Sequence, residues 1–319
     1  MSHLVQTMAY REEQVPWHRL GNSLPANQPL EVWLTAAGMD WAIQEAPVLY
    51  SAAGGEGAVI KANADAKVLY RSDTQEALSV VSNRYKVVQP REVMEFYRDL
   101  VSSAGFALET AGVLKGGRKL WALAKTGQET VLKGGDRVKA YLLLATSCDG
   151  TLATTAQFTS VRVVCNNTLQ LAVNHRGSVV KVPHSTVFDP KLVKAALGLG
   201  LSTWDGFITS IKRMAERPLN SIEAMNVLIS TLGDPALPLI QQPNRRVLQQ
   251  IHTLFAGAGI GAELASASGT AWGLLNAVTQ YVDHARRARS QDYRLDSAWF
   301  GAGAEMKAKA YTQVLKVVG

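Results

Sequence analysis

Only two cysteines, Cys148 and Cys165, occur in 319 residues. A framework of several disulfides is therefore excluded, as is a zinc site built on four thiolates. The six histidines, at 3, 18, 175, 184, 252 and 284, contain no pair at i and i+4, and the acids form no paired motif. Neither a metal nor a cofactor is expected from these spacings. Apolar runs fall short of the roughly 20 residues a membrane helix needs. The opening MSHLVQTMAYREEQ has no basic stretch followed by an apolar one, so no signal peptide is expected. Charged residues make up 18% of the chain and hydrophobic ones 47%, which is globular rather than disordered. The expectation is a cytoplasmic, reduced protein without a membrane partner. Three glycine-rich tetrapeptides, GGEG at 54–57, KGGR at 115–118 and KGGD at 133–136, lack phosphate-loop or dinucleotide spacing. They read as hairpin turns.

What is present is organised around Val138–His175. Lys139–Ser147 is aliphatic, Cys148-Asp149-Gly150 is turn chemistry, and Thr151–Val164 is β-branched with rough alternation. Asp-Gly between two such runs signals a hairpin. Asn166, Asn167 and Thr168 then favour a cap, with Leu169, Leu171 and Ala172 opening a helical face. A second hairpin is expected over 106–126. Upstream, residues 1–30 read as an irregular arm, with Trp17 anchoring it. A helix is expected at 30–38, a strand at 41–50, a flexible loop at 51–58, strands at 67–71 and 77–88, and a helix opened by Pro90. Beyond Pro190 the periodicity is helical, at 191–216, 221–232, 245–256, 270–289 and 302–318. The fold expected is α+β: a hairpin-rich antiparallel sheet core packed with helices, then a mainly helical C-terminal region. The corresponding division is an arm (1–30), a core (31–190) and a helical region (191–319).

The net charge of +7 is unevenly placed. Residues 112–194 hold twelve Lys and Arg against four acids, a local +8, while the remainder is close to neutral. Such clustering suits a polyanion-binding surface, although Lys on strand edges also serves to block aggregation. Basic residues interleaved with aromatics have the composition of a single-strand groove. The candidate nucleic-acid-binding set is Lys115, Arg118, Lys119, Lys139, Tyr141, Phe158, Arg162, Arg176 and Lys181. Arg162 lies mid-strand between two valines, so burial with a partner is the competing expectation. Cys165, with His175 or His184, is the only thiol pairing of note, and a structural cysteine is the simpler reading.

Six stretches occur in one order: PWHRLG at 16–21, ETAGVLKGGRKLWALAK at 109–125, YLLLATSCDGT at 141–151, VRVVCNNTL at 161–169, GTAWGLLNAVTQYVDH at 269–284 and SAWFGAG at 297–303. Together they resemble the phage/plasmid-like proteins of domain-of-unknown-function family 932. One departure is Ser147-Cys148 before Asp-Gly, where Ser-His is expected. The resemblance implies carriage on phages or plasmids and no established catalytic residue. The function expected is a single-stranded DNA-binding protein that anneals complementary strands and self-associates as a ring or filament. The alternatives are a metal-dependent nucleic-acid-processing enzyme using Asp136 or Asp149, and a non-enzymatic anti-defence or host-interaction protein.

Overall fold

The computed structural model describes residues 8–12, 21–54, 57–164, 167–170, 179–197 and 201–319. Its strands are β1 (Met8–Arg11), β2 (Asn22–Leu24), β3 (Ile43–Gly54), β4 (Gly57–Arg71), β5 (Ala77–Ser82), β6 (Ala107–Leu114), β7 (Lys119–Leu132), β8 (Asp136–Ser147), β9 (Thr154–Arg162), β10 (Asn167–Gln170) and β11 (Val179–Val182). An eight-stranded mixed sheet runs β10-β9-β8-β7-β6-β1-β2, with β11 also on β9, and β3-β4-β5 form a separate sheet. With the helices that follow residue 190 this is the α+β architecture the periodicities imply. The hairpins at 106–126 and 138–165 are neighbours in the large sheet.

The chain forms two compact units interleaved in sequence. One comprises 1–126, 142–156 and 179–196, and the other 127–141, 157–178 and 197–319. In the first, α1 (Leu30–Ala36), α2 (Pro90–Glu95), α3 (Arg98–Ser103) and nearly all of α4 (Pro190–Leu197) accompany the strands. Its core holds Met39, Leu69, Met94, Phe96, Tyr97, Leu114, Leu120 and Trp121. The Tyr97 hydroxyl lies 2.8 Å from the Ala122 carbonyl and 3.0 Å from that of Leu142, either of which accepts its proton. Burial holds that phenol well above its ordinary range.

The second unit packs α5 (Leu201–Glu216), α6 (Ser221–Leu232), α7 (Arg245–Thr253), α8 (Ala271–Gln280), α9 (Gln291–Phe300) and α10 (Ala302–Val318). Every residue of α8 is buried, so it is the unit's central helix. The Thr270 hydroxyl caps it by accepting from the Gly273 N–H. Past the other end of α8, Lys307 on α10 donates to Asp283 at 2.8 Å, with both side chains buried.

Several local expectations give way. Residues 8–11 and 22–24 form β1 and β2 where irregular structure is expected, because β1 completes a ladder on β6 from Met8↔Gly112 to Tyr10↔Thr110. Trp17 lies outside the described residues. Residues 51–54 and 57–58 continue a hairpin instead of forming a loop, held by pairs as far as Gly54↔Gly57. The helix opened by Pro90 breaks at Phe96-Tyr97. Both adjacent rings are fully buried, whereas a continuous helix sets neighbours about 100° apart. Asn167–Gln170 is a strand on β9 rather than the start of a helix; the Leu169 carbonyl accepts from the Thr159 hydroxyl at 2.9 Å. The sheet edge supplies partners that capping propensity cannot foresee. The helix expected at 270–289 buries Trp272, Leu275, Val278 and Val282, but ends in a π turn at Ala285. Arg286, Arg287 and Arg289 therefore follow the helix instead of ending it.

Candidate nucleic-acid interface

Burial divides the expected binding residues into two groups. Lys119, Lys139, Tyr141, Phe158 and Arg162 are buried. Tyr141 and Phe158, expected to stack on bases, instead fill the core. Lys115 is half-exposed in the β6–β7 turn, and Arg118 and Lys181 are exposed. Arg176 lies outside the described residues, as do Cys165, Asn166 and His175.

Arg162, the last residue of β9, has the partner that its burial demands. Its Nε donates to both carboxylate oxygens of Asp136, at 2.8 and 2.9 Å, and its Nη2 donates to the Gly261 carbonyl at 2.9 Å. Asp136 Oδ2 also accepts from the Ser266 hydroxyl at 2.7 Å and the Trp272 indole at 3.0 Å. Both charges are hidden from water. Asp136 is thus saturated by protein donors rather than directed at a magnesium ion. Among the described residues, no group of three or more His, Cys, Asp or Glu is placed to hold a metal.

The exposed cations gather about a different feature, the β8–β9 turn at Cys148–Ala153. The Cys148 N–H donates to the Arg118 carbonyl at 2.9 Å, which sets the β6–β7 turn beside it. The Tyr85 hydroxyl donates to the Ser147 carbonyl at 2.7 Å. His184 closes the other side: its Nε2 lies 3.0 Å from the Leu152 carbonyl and its Nδ1 3.0 Å from that of Lys86. Its ring stacks on Tyr85 at 4.4 Å between centroids. Three segments far apart in sequence therefore meet at one turn, carrying Arg84 and Lys86, Arg118, and Lys181. All four are exposed, and none makes an ion pair among the described residues.

Arg84 and Lys86 fall outside the basic stretch that composition marks out. The Tyr85–His184 stack brings them in, and no sequence spacing announces that contact. The turn itself offers little nucleophilic chemistry. Burial, with the Asp149 charge adding to it, pushes the Cys148 thiol up to about 12. Burial also pushes the Asp149 carboxyl up, but bonds from the Thr151 hydroxyl and N–H outweigh it and leave the group lowered.

Four exposed cations of this α+β chain, free of ion pairs among the described residues, are thus carried on segments joined at one hairpin turn. The chain belongs to the domain of unknown function family DUF932, whose sequence profile matches residues 77–299. That span includes all four of these cations. No curated protein and no solved structure shows significant similarity to the chain.

Proposed function

We propose that this chain is a single-stranded DNA-binding protein of a phage or plasmid that acts in the cytoplasm, anneals complementary strands without catalysing bond cleavage, and self-associates. The observation that carries the reading is the set Arg84, Lys86, Arg118 and Lys181: exposed, free of ion pairs among the described residues, and carried on segments joined at one turn. Cations on the phosphates leave base edges free to find a partner strand. The half-exposed Tyr85–His184 stack lies between them and offers an aromatic surface at the same place.

The test is fluorescence anisotropy with single-stranded and duplex DNA across a salt series. Single strands should bind more tightly than duplex and remain uncut. Replacing Arg84, Lys86, Arg118 and Lys181 by Ala should weaken binding alike for every sequence. The slope of log affinity against log salt should fall by about 0.7 for each phosphate that the variant no longer neutralises. An unchanged slope in the quadruple variant would remove the physical basis of the reading.

A further inference from the structure

The β3–β4 hairpin has two unlike halves. Its base is a three-stranded sheet, because β5 pairs with β4 over Ala66–Tyr70. Beyond a register irregularity at Pro47/Val48 the ribbon continues as two strands alone, through seven pairs from Val48↔Asn63 to Gly54↔Gly57. This outer ribbon carries exposed Leu49, Tyr50, Val59 and Ile60, with Ile60 at 72%. Two isolated strands are marginal in water, so an apolar two-stranded arm calls for a covering surface.

Cross-strand partners share a face. One face therefore holds Leu49, Ser51, Ala53, Ala58, Ile60 and Ala62, without a charge. The other holds Val48, Tyr50, Ala52, Val59, Lys61 and Asn63, with one. We infer that this arm is the contact through which the chain binds a second copy of itself, each arm clasped by the other copy. The inference specifies the self-association part of the proposed function and is independent of its nucleic-acid part.

Charge and area select the occupant. A nucleic acid would require several cations on the ribbon, and an acidic or basic protein several charges of the opposite sign; the first face has no charge and the second has Lys61 alone. Two copies of a chain with net charge +7 approach best through a surface with so little charge. At about 3.3 Å per pair and a width of about 10 Å, each face offers roughly 230 Å². Stacking one face on its copy would bury roughly 460 Å² in total, the scale of a lattice contact. Reciprocal clasping of both faces of both arms buries roughly 1,800 Å², within the range of stable specific interfaces.

The experiment is sedimentation velocity on the full chain over a concentration series, without nucleic acid, so that failure of the DNA reading leaves it unaffected. The wild-type protein should sediment above the 34.5 kDa of one chain. The double variant Leu49→Lys/Ile60→Lys should return to one-chain mass with its circular dichroism unchanged. A wild type that stays at one-chain mass up to tens of micromolar overturns the inference, as does a folded variant that keeps the larger mass. Hydrogen exchange of the wild type supplies a readout that needs no variant. Amides at 48–54 and 57–64 should gain protection as concentration rises, and exchange independent of concentration would also overturn it.

Discussion

Arg162 and Asp136 are 3% and 1% exposed, and their charges satisfy one another at 2.8 Å. Removing one partner strands the other in a medium that solvates it poorly. Arg162→Ala should therefore cost about 3–5 kcal/mol, read as a lower midpoint in urea unfolding, and any fall in DNA binding should track that loss of fold. Arg118→Ala provides the contrast, with a change within about 0.5 kcal/mol for an exposed, unpaired side chain. Cys148 makes the second residue-scale prediction. Its thiol is held at about 12 against an ordinary 9.0, and the Tyr85 phenol at about 12 against 10.0, burial being the larger cause in both. A proton held longer in the fold contributes stability that is complete below the unfolded value and is lost as pH rises through the folded one. Stability should fall between about pH 9 and 12, by at most about 1.4 kcal/mol per pH unit per group. Cys148→Ala should flatten that decline at its lower end, measured by denaturant unfolding at several pH values.

Among the helices, two glycines with opposite surroundings separate packing from propensity. A Cβ on Gly273 in α8 would lie 1.9 Å from the Ala267 carbonyl oxygen, whereas one on Gly206 in α5 would meet nothing within 4 Å. Gly206→Ala should stabilise by about 0.5–1 kcal/mol, since alanine loses less backbone freedom in a helix. Gly273→Ala should destabilise by about 3 kcal/mol or more, because a backbone contact yields less readily than a side chain. Thermal melts of the two variants should shift in opposite directions. Helix α6 shows an element that local chemistry defines unaided: Asn220 accepts from the Ile222 and Glu223 N–H groups, and Glu223 reaches back to the Asn220 N–H. Strand β10 shows the reverse, since Asn167 and Thr168 have cap chemistry and yet sit on a sheet edge. The first is written within four residues, and the second depends on β9.

At the scale of the molecule, the basic excess of residues 112–194 is divided between the two compact units. Lys115, Arg118, Lys119, Lys125, Lys181, Lys191 and Lys194 belong to one compact unit, and Lys133, Arg137, Lys139 and Arg162 to the other. Neutralising Arg84 and Lys86 alone, outside that stretch, should therefore lower the salt slope of single-strand binding by up to about 1.4. Neutralising Lys133 and Arg137 should lower it less, measured in the same anisotropy titrations. No helix among the described residues is long and apolar enough to cross a membrane, in keeping with the absence of long apolar runs.

Periodicity and turn chemistry alone determined the α+β class, the adjacent hairpins, the glycine turns at 115–118 and 133–136, and helices such as Ser221–Leu232 and Ala302–Val318. Each is encoded by neighbours a few positions apart: alternation for strands, a 3.6-residue stripe for helices, and positive φ at Gly116, Gly117, Gly134 and Gly135 for the turns. Collinear motifs likewise pointed to the family, whose profile matches residues 77–299. Tertiary structure decided which charges reach water. Alternation says that a strand has two faces, but not that both are covered, and Lys119, Lys139, Tyr141 and Phe158 lie on faces that are. It also decided that Arg84 and Lys86 join Arg118 and Lys181. That juxtaposition rests on a tyrosine stacked on a histidine 99 positions away, a contact fixed by packing and by no local signal.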